Sequence, residues 1–311
     1  MSKVTVVGAG NVGATVANVL ARYDVTNEIV LLDIQGNMAK GKALDTWEQS
    51  PIEYFSTKIV GTDNYKKTAN SDIVVITAGV PRKPGMSRDD LISTNAKIVV
   101  AVTKSIMEHS ENPIIIVVSN PLDVMTYAAW QASGLPATRV FGMAGILDTG
   151  RYRSFLAEAL KVSPKDIQAV LMGGHGDTMV PLPRFTTVAG IPVKDLIETK
   201  KLNAIIERTK KGGGELVKLM GTSAWYAPGA AAAQMVTTIL RDERRIFPCC
   251  VQINRQYGLK KMYLGAPTVL GKNGVEKIIE LKLNKTELKA LHKSAEAVSK
   301  VLDGFKKMNI D

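Results

Sequence analysis

The chain has 311 residues, of which 45% are hydrophobic and 22% charged, and its formal net charge is +11. This length is enough for one large or two medium domains with a buried core. No apolar run approaches the roughly 18 residues that a membrane span needs. The basic residues are spread along the chain and aromatic residues make up only 5%, so neither a membrane nor a nucleic acid is an expected partner.

The first half alternates short apolar runs with helical spacing. The runs predicted to be strands are residues 4–7, 29–33, 58–61, 72–77, 113–119 and 139–142. The segments predicted to be helices are 12–22, 38–47, 88–109 and 122–133. Near-continuous apolar strands separated by helices are typical of a parallel sheet that helices cover on both faces. We therefore predict an α/β fold of the Rossmann type, with a doubly wound parallel sheet.

The second half has a different pattern. Helices are predicted at 149–160, 202–218, 227–240 and 285–308, strand-like sequence at 169–172 and 180–188, and antiparallel strands at 246–257, 262–269 and 274–283. This mixture predicts an α+β unit after the parallel sheet. We place the boundary near residue 145, which gives units of 1–145 and 146–311, and we expect the active site at their junction.

Two adjacent cysteines, Cys249 and Cys250, are the only ones in the chain. Neighbouring cysteines have poor geometry for a disulfide, and no Cys or His spacing of a zinc site occurs. The short apolar N-terminus ends at glycines and lacks the cleavage pattern of a signal peptide. We expect a cytoplasmic protein without a metal site, in which both cysteines stay reduced in a buried strand.

A glycine-rich motif follows the first predicted strand. It reads G-x-G-x-x-G and comprises Gly8, Ala9, Gly10, Asn11, Val12 and Gly13. Between a strand and a helix, this motif brings the backbone close to a diphosphate at the helix N-terminus. Asp33 ends the second strand, where a carboxylate accepts hydrogen bonds from ribose hydroxyls and repels a 2′-phosphate. The pattern predicts that the chain binds NAD rather than NADP.

One of the three histidines is a candidate proton carrier. His175 lies in a glycine-flanked loop, whereas His109 and His292 lie among helical residues and are expected at the surface. A neutral imidazole with a pKa near the usual value of about 6.5 suits a reaction that takes a proton from an alcohol. Asp148 is a candidate partner for His175, and Arg151, three residues later on the same helical face, is a candidate cation for a substrate carboxylate. An ion pair within the helix is the alternative for these two residues.

The segment 78–88 follows the fourth predicted strand, at the edge of the sheet where ligands of such folds bind. It is rich in Gly and Pro and contains Arg82, Lys83 and Arg88. We expect a loop that closes over an anionic ligand, because arginine binds carboxylates in a two-pronged fashion. A basic surface loop is the alternative.

Taken together, these segments resemble the lactate/malate dehydrogenase family, and within it the malate dehydrogenases of the lactate-dehydrogenase-like type. The resemblance covers nearly the whole chain. It rests on Asp33 and on VVGAGNVG, ITAGVPRKPGMSR, VVSNPLD, GMAGILDTGRYR and MGGHGD, in that order. It implies an NAD-binding domain at 1–145, a catalytic domain at 146–311, a role in the tricarboxylic acid cycle, and a homodimer or homotetramer.

The resemblance also implies roles for individual residues. It implies reversible oxidation of (S)-malate to oxaloacetate, in which His175 accepts the proton and Asp148 is its partner. Arg151 binds the carboxylate beside the reacting carbon, and Arg88 stabilises charge on the carbonyl oxygen. Contacts with substrate or NAD are further implied for Asn95, Val118, Ser119 and Asn120.

Arg82 is the residue expected to select the substrate. Where family members act on lactate, this position resembles a glutamine, whereas an arginine pairs with the second carboxylate of oxaloacetate. With pyruvate that cation would be buried and unpaired, which is costly. Lactate dehydrogenase or another 2-hydroxy-acid dehydrogenase remains the near alternative. More distant ones are an NAD-dependent glycosidase, which would need a metal site, and a non-catalytic NAD-binding protein.

Overall fold

A computed structural model describes residues 2–81, 87–308 and 310 of the chain. The strands of the first half are β1 (Lys3–Val7), β2 (Glu28–Leu32), β3 (Lys58–Thr62), β4 (Ile73–Ile76), β5 (Ile114–Val117) and β6 (Val140–Gly142). The helices of this half are α1 (Asn11–Tyr23), α2 (Gly36–Glu48), α3 (Ser50–Glu53), α4 (Arg88–Met107) and α5 (Leu122–Ser133). The sequence pattern predicts all six strands and four of these helices. It misses only the single turn of α3.

The six strands run parallel in the order β3-β2-β1-β4-β5-β6. Their apolar residues are buried on both faces, as the near-continuous hydrophobic runs predict, except in the edge strand β3, where Ile59 and Val60 are half-buried. The strand order reverses between β1 and β4, and ligands of such folds bind at the carboxyl ends of the strands beside that reversal. The predicted doubly wound sheet is confirmed, and it places the segments after β1 and β4 next to each other.

The second half contributes further helices and strands. They are α6 (Gly145–Leu160), β7 (Ile167–Gln168), β8 (Leu171–Met172), β9 (Val180–Pro181), β10 (Thr187–Val188), β11 (Ile191–Pro192), α7 (Val193–Leu196), α8 (Thr199–Met220), α9 (Tyr226–Leu240), β12 (Arg245–Ile253), β13 (Met262–Gly271), β14 (Gly274–Ile278) and α10 (Lys285–Lys306). The single strand expected at 180–188 is wrong. Two short strands lie there instead, separated by a 3₁₀ turn at Pro183–Phe185, because Pro181 and Pro183 have no N–H to continue a ladder.

Strands β12, β13 and β14 are antiparallel, as predicted, and they extend the parallel sheet of the first half. Cys250 of β12 lies opposite Gly142 of β6, which makes one sheet of nine strands. One core cluster contains Val6 and Ile29 from the first half together with Val236 and Leu264 from the second. The two units expected on either side of residue 145 therefore share one continuous sheet and one core cluster. No helix in the described part of the chain is both long enough and apolar enough to cross a membrane.

Candidate functional site

The glycine-rich loop connects β1 to α1, as the motif predicts. Gly8 has a φ of +102°, a left-handed conformation that favours glycine. A Cβ on Gly13 would overlap the carbonyl oxygen of Gly8, so only glycine lets the helix pack this closely on the loop. A Cβ on Gly10 would meet nothing within 4 Å. The first N–H groups of α1 thus border open space, which is the arrangement that a diphosphate requires.

Asp33 follows β2 and is held against this loop. Its Oδ2 accepts a hydrogen bond from the Ala9 N–H at 2.7 Å, and its Oδ1 accepts one from the Gln35 N–H at 2.9 Å. On the other side of the loop, the Lys42 ammonium donates to the Ala9 carbonyl at 2.7 Å. The carboxylate is therefore fixed beside the expected diphosphate position, where it can receive ribose hydroxyls.

Asn95 on α4 connects the segments that follow β4 and β5. Its Oδ1 accepts from the Val80 N–H at 2.8 Å, and its Nδ2 donates to the Asn120 carbonyl at 2.7 Å. Ser119 donates to the Ala78 carbonyl at 2.6 Å, across the same gap. These bonds hold Asn120 at the carboxyl edge of the sheet. The contacts of Asn95, Val118, Ser119 and Asn120 with NAD stay predictions.

His175 and Asp148 form a close pair between a loop and a helix. His175 follows β8, and its Nδ1 lies 2.9 Å from Oδ2 of Asp148 on α6. The Asp148 side chain is 2% exposed and that of His175 is 22% exposed. Because an ionised carboxylate only accepts, Nδ1 donates to Asp148, which leaves Nε2 as the free ring nitrogen. The pair expected from the sequence is thus brought together, with one nitrogen left for a substrate.

A cavity of about 590 Å³ lies in front of this pair. Its lining includes His175 and Arg151 from the second half and Asn120 and Asp123 from the first. The Arg151 guanidinium, 12% exposed, lies 3.5 Å from Oδ1 of Asp148. The intrahelical ion pair considered as an alternative for Asp148 and Arg151 is therefore present, but Arg151 also lines the cavity, and Asp148 lies behind His175. The imidazole of His175 and the guanidinium of Arg151 thus border the same cavity.

The surroundings of His175 shift its pKa. Burial lowers the pKa, but the negative charges of Asp148 and Asp123 and the hydrogen bond to Asp148 outweigh this effect. The pKa of His175 therefore lies above the usual value for histidine, whereas the sequence alone suggests an unshifted one. The protonated form of His175 persists to higher pH than expected.

Asp123 is a cavity residue that the sequence analysis did not single out. It lies in the first turn of α5, its Oδ2 accepts from the His175 N–H at 3.4 Å, and its Oδ1 accepts from the Cys250 thiol at 3.3 Å. Burial raises the pKa of Asp123. Its place two residues after Pro121, just past the carboxyl end of β5, is the signal that points to it.

The remaining residues considered in the sequence analysis lie away from the His175–Asp148 pair or outside the described part of the chain. Arg82 lies outside the described residues, and so does the side chain of Arg88, whose backbone begins α4 after the Ser87 cap. His292 is half-buried, and its Nε2 lies 2.8 Å from the Tyr257 carbonyl. Cys249 and Cys250 are free and buried in β12, as predicted. In the described ranges, no group of three or more His, Cys, Asp or Glu residues is arranged to hold a metal ion.

Comparison with known proteins identifies relatives over the full length of the chain. Residues 2–142 match the family model of the lactate/malate dehydrogenase NAD binding domain, and residues 146–308 match that of the alpha/beta C-terminal domain. The malate dehydrogenase of Cytophaga hutchinsonii is 64% identical over 307 residues, which are 97% of this chain and 98% of that protein.

Solved structures of related proteins have the same fold. The malate dehydrogenase of Salinibacter ruber superposes with a TM-score of 0.95 at 55% identity, over 98% of each chain. The lactate dehydrogenase of Cryptosporidium parvum, solved with lactic acid and NAD, superposes with a TM-score of 0.94 at 35% identity, again over 98% of each chain. Enzymes named for two different substrates therefore share this backbone, so the backbone alone does not select the substrate.

The dinucleotide loop, the His–Asp pair and the matched NAD-binding domain together define the class of protein as an NAD-dependent oxidoreductase. Within that class, the chain belongs to the lactate/malate dehydrogenase family.

Proposed function

We propose that the protein is a malate dehydrogenase that oxidises (S)-malate to oxaloacetate reversibly, with NAD as the redox partner. The observation that carries the proposal is the hydrogen bond of 2.9 Å between His175 and Asp148. His175 lines a cavity together with Arg151 and Asn120. The relatives at 64% and 55% identity that are named malate dehydrogenase support malate over lactate as the substrate.

His175 is the proton acceptor in this proposal. Asp148 holds Nδ1 and fixes the tautomer, so Nε2 accepts the proton of the C2 hydroxyl as the C2–H bond breaks and the carbonyl forms. Asp148 then stabilises the imidazolium across 2.9 Å. In the reverse direction the imidazolium returns the proton to the carbonyl oxygen. NAD, when bound, supplies the acceptor for the hydride that leaves C2.

Binding of the substrate is assigned to cations and one amide. Arg151 holds the carboxylate beside C2, where a fork of N–H donors orients the reacting carbon against His175. Asn120 bonds the substrate oxygen from the first-half side of the cavity, and Arg88 stabilises the charge on it. Arg82 pairs with the second carboxylate of malate.

The residues at the carboxyl ends of β1 and β2 fit NAD. The open space beside Gly10, the start of α1 and the fixed carboxylate of Asp33 form one continuous edge. Gly8, Ala9, Gly10, Asn11, Val12 and Gly13 hold the diphosphate in this proposal, and Asp33 receives the ribose. We propose 1–145 as the NAD-binding unit and 146–311 as the catalytic unit.

The substrate assignment is tested by following NADH oxidation with oxaloacetate and pyruvate in parallel. We expect the native protein to prefer oxaloacetate in kcat/KM, and Arg82→Gln to reduce that preference by at least about tenfold, because one charge-assisted pair is lost. Lys83→Gln removes a charge from the same loop and is expected to leave the ratio unchanged. A native preference for pyruvate would overturn the proposal, and an unchanged ratio in Arg82→Gln would remove Arg82 from it.

We further propose that the enzyme works in the cytoplasm, in the tricarboxylic acid cycle, as a homodimer or homotetramer. Free, buried cysteines suit a reducing compartment. Leu44, Trp47 and Ile52 on α2 and α3 are exposed by 58%, 42% and 73%, and such a patch favours burial against a second copy. Light scattering on the purified protein checks the assembly, and a monomeric mass would contradict it.

A further inference from the structure

Helix α8 contains three consecutive glycines, Gly212, Gly213 and Gly214, in the middle of its 22 residues. Each glycine inside a helix destabilises it relative to alanine. The three differ in their surroundings. A Cβ on Gly213 or Gly214 would meet nothing within 4 Å, and both residues line the cavity, whereas Gly212 is buried.

Gly212 is buried against the side chain of Arg151. A Cβ at position 212 would overlap Cδ of Arg151 and would lie 2.6 Å from its Nε. The side chain of Arg151 thus runs directly over the backbone of α8. The absence of a side chain at Gly212 is what leaves room for this path.

The two helices are unable to separate cheaply to make room for a methyl group. Tyr152 and Leu156 of α6 share a buried cluster with Leu202 and Ile205 of α8. Moving α8 away would expose the large apolar side chains of this cluster to water, which is unfavourable. A side chain at 212 therefore displaces the flexible Arg151 rather than the helix.

We propose that Gly212 is a positioning residue for the reaction. Because it has no side chain, the aliphatic part of Arg151 can lie across α8, and this path directs the Arg151 guanidinium into the substrate cavity. This inference rests on the proposed function, in which Arg151 binds the carboxylate beside the reacting carbon. Misplacing such a group by about 1 Å reduces the rate by about 100-fold. Gly212 thereby influences substrate binding without touching the substrate.

Arg151 also acts on His175. Three charged groups act on the imidazole: Asp148 and Arg151 on α6 and Asp123 on α5. Glu215 on α8 feels the charge of Arg151 but is hydrogen-bonded to Arg208. Burial and the charge of Arg151 lower the pKa of His175, while Asp148 and Asp123 raise it. When the guanidinium moves away, the pKa of His175 rises. The pH profile of malate oxidation therefore shifts to higher pH.

The first variant to make is Gly212→Ala. We expect KM for oxaloacetate to increase about 10- to 100-fold, the acid limb of malate oxidation to move to higher pH, and Tm to stay equal or rise because alanine favours the helix. Gly304→Ala in α10 is the control, since it is also a glycine-to-alanine change within a helix, but its Cβ, unlike one at position 212, would meet nothing within 4 Å and it lies outside the site. This control is expected to leave KM and the pH profile unchanged.

Arg151→Ala, alone and combined with Gly212→Ala, tests the positioning role of Gly212 separately from the substrate-binding role of Arg151. If Gly212 acts through Arg151, the second change has no further effect on KM once Arg151 is truncated. An unchanged KM in Gly212→Ala, beside a raised KM in Arg151→Ala, overturns the inference alone. An unchanged KM in Arg151→Ala overturns the substrate role itself.

The double variant also answers the case in which Gly212→Ala alone does not fold. Truncating Arg151 removes the overlap, so the double variant must then fold and match Arg151→Ala. A double variant that does not fold overturns the inference.

Discussion

At the scale of single residues, the site depends on a chain of charges that runs from Arg151 through Asp148 to His175. The two links measure 3.5 Å and 2.9 Å, and Asp148 is almost wholly buried. In the proposed reaction, the carboxylate of Asp148 faces the positive charge that forms on the imidazole during malate oxidation and stabilises it. In the proposed reaction, substrate binding by Arg151 and proton transfer by His175 are therefore coupled through this one carboxylate.

Asp148→Asn tests this coupling. The amide keeps the shape of the side chain but removes the charge that raises the pKa of His175. We expect kcat to fall by about 10²- to 10⁴-fold and the pKa of His175 to fall. Asp166→Asn on an exposed turn is the control and leaves both unchanged.

The direction of each pH profile follows from the form of His175 that reacts. In the native protein, kcat/KM for malate oxidation rises with pH through the raised pKa of His175, because the neutral imidazole is the acceptor. For oxaloacetate reduction, kcat/KM falls through the same pKa, because the imidazolium is the donor. The same direction in both profiles would remove His175 as the acid and base.

The sequence predicts the individual members of this site better than their arrangement. Glycines around His175 mark an unusual loop, and a spacing of three places Asp148 and Arg151 on one helical face. The contact of His175 with Asp148 joins residues 27 positions apart, and the shifted pKa of His175 follows only from that contact and its burial. Asp123 and Gly212 were missed for the same reason: their importance lies in what packs against them.

At the scale of elements, the turn from β1 into α1 is the most tightly constrained part of the nucleotide site. Gly13→Ala is expected to destabilise the fold by about 1–3 kcal/mol, because the new methyl group overlaps the Gly8 carbonyl and pushes α1 away from β1. The same movement misplaces the helix N-terminus, so Kd for NADH rises. Chemical denaturation and NADH fluorescence titration measure the two effects.

Gly41→Ala in α2 is the matched control for this turn. Its Cβ would meet nothing within 4 Å, so the substitution is expected to stabilise the helix by about 1 kcal/mol and to leave NADH binding unchanged. If both alanine variants bind NADH as the native protein does, close packing at Gly13 is not what positions the diphosphate.

Helices and strands of the first half were predictable because parallel strands are apolar throughout and end abruptly at polar loops. The second half was harder to predict. The sequence places the start of one helix at residue 149, but α6 begins at Gly145. Its first turn is buried against β12 and carries few polar residues, so no capping signal marks it. The break between β9 and β10 was missed although Pro181 and Pro183 mark it in the sequence, since neither has an N–H to continue a ladder.

At the scale of the whole molecule, the two halves share a sheet, a core and a cavity. Besides the pairing of β6 with β12, Trp130 of the first half packs against Tyr263 of the second, with ring centroids 6.0 Å apart. The cavity needs Asn120 from one half and His175 from the other. Separating the halves would expose apolar surface to water, at a free-energy cost of about 25 cal/mol per Å², and would also disrupt the site.

We therefore expect the halves to unfold together. One variant keeps only Trp47, through Trp130→Phe and Trp225→Phe, and a second keeps only Trp225, through Trp47→Phe and Trp130→Phe. Trp47 reports on the first half of the chain, and Trp225 reports on the second half. At a single protein concentration, their fluorescence in increasing urea is expected to give the same midpoint, as a cooperative transition requires.

Saturating NADH extends the same argument. The nucleotide contacts the first half in the proposed site, and at about 100 times Kd it stabilises the folded state by about 2.7 kcal/mol. Because the sheet is continuous, both midpoints are expected to rise by the same amount. A rise for Trp47 alone, or two midpoints that already differ without NADH, would mean that the boundary near residue 145 separates two independently stable units despite the shared sheet.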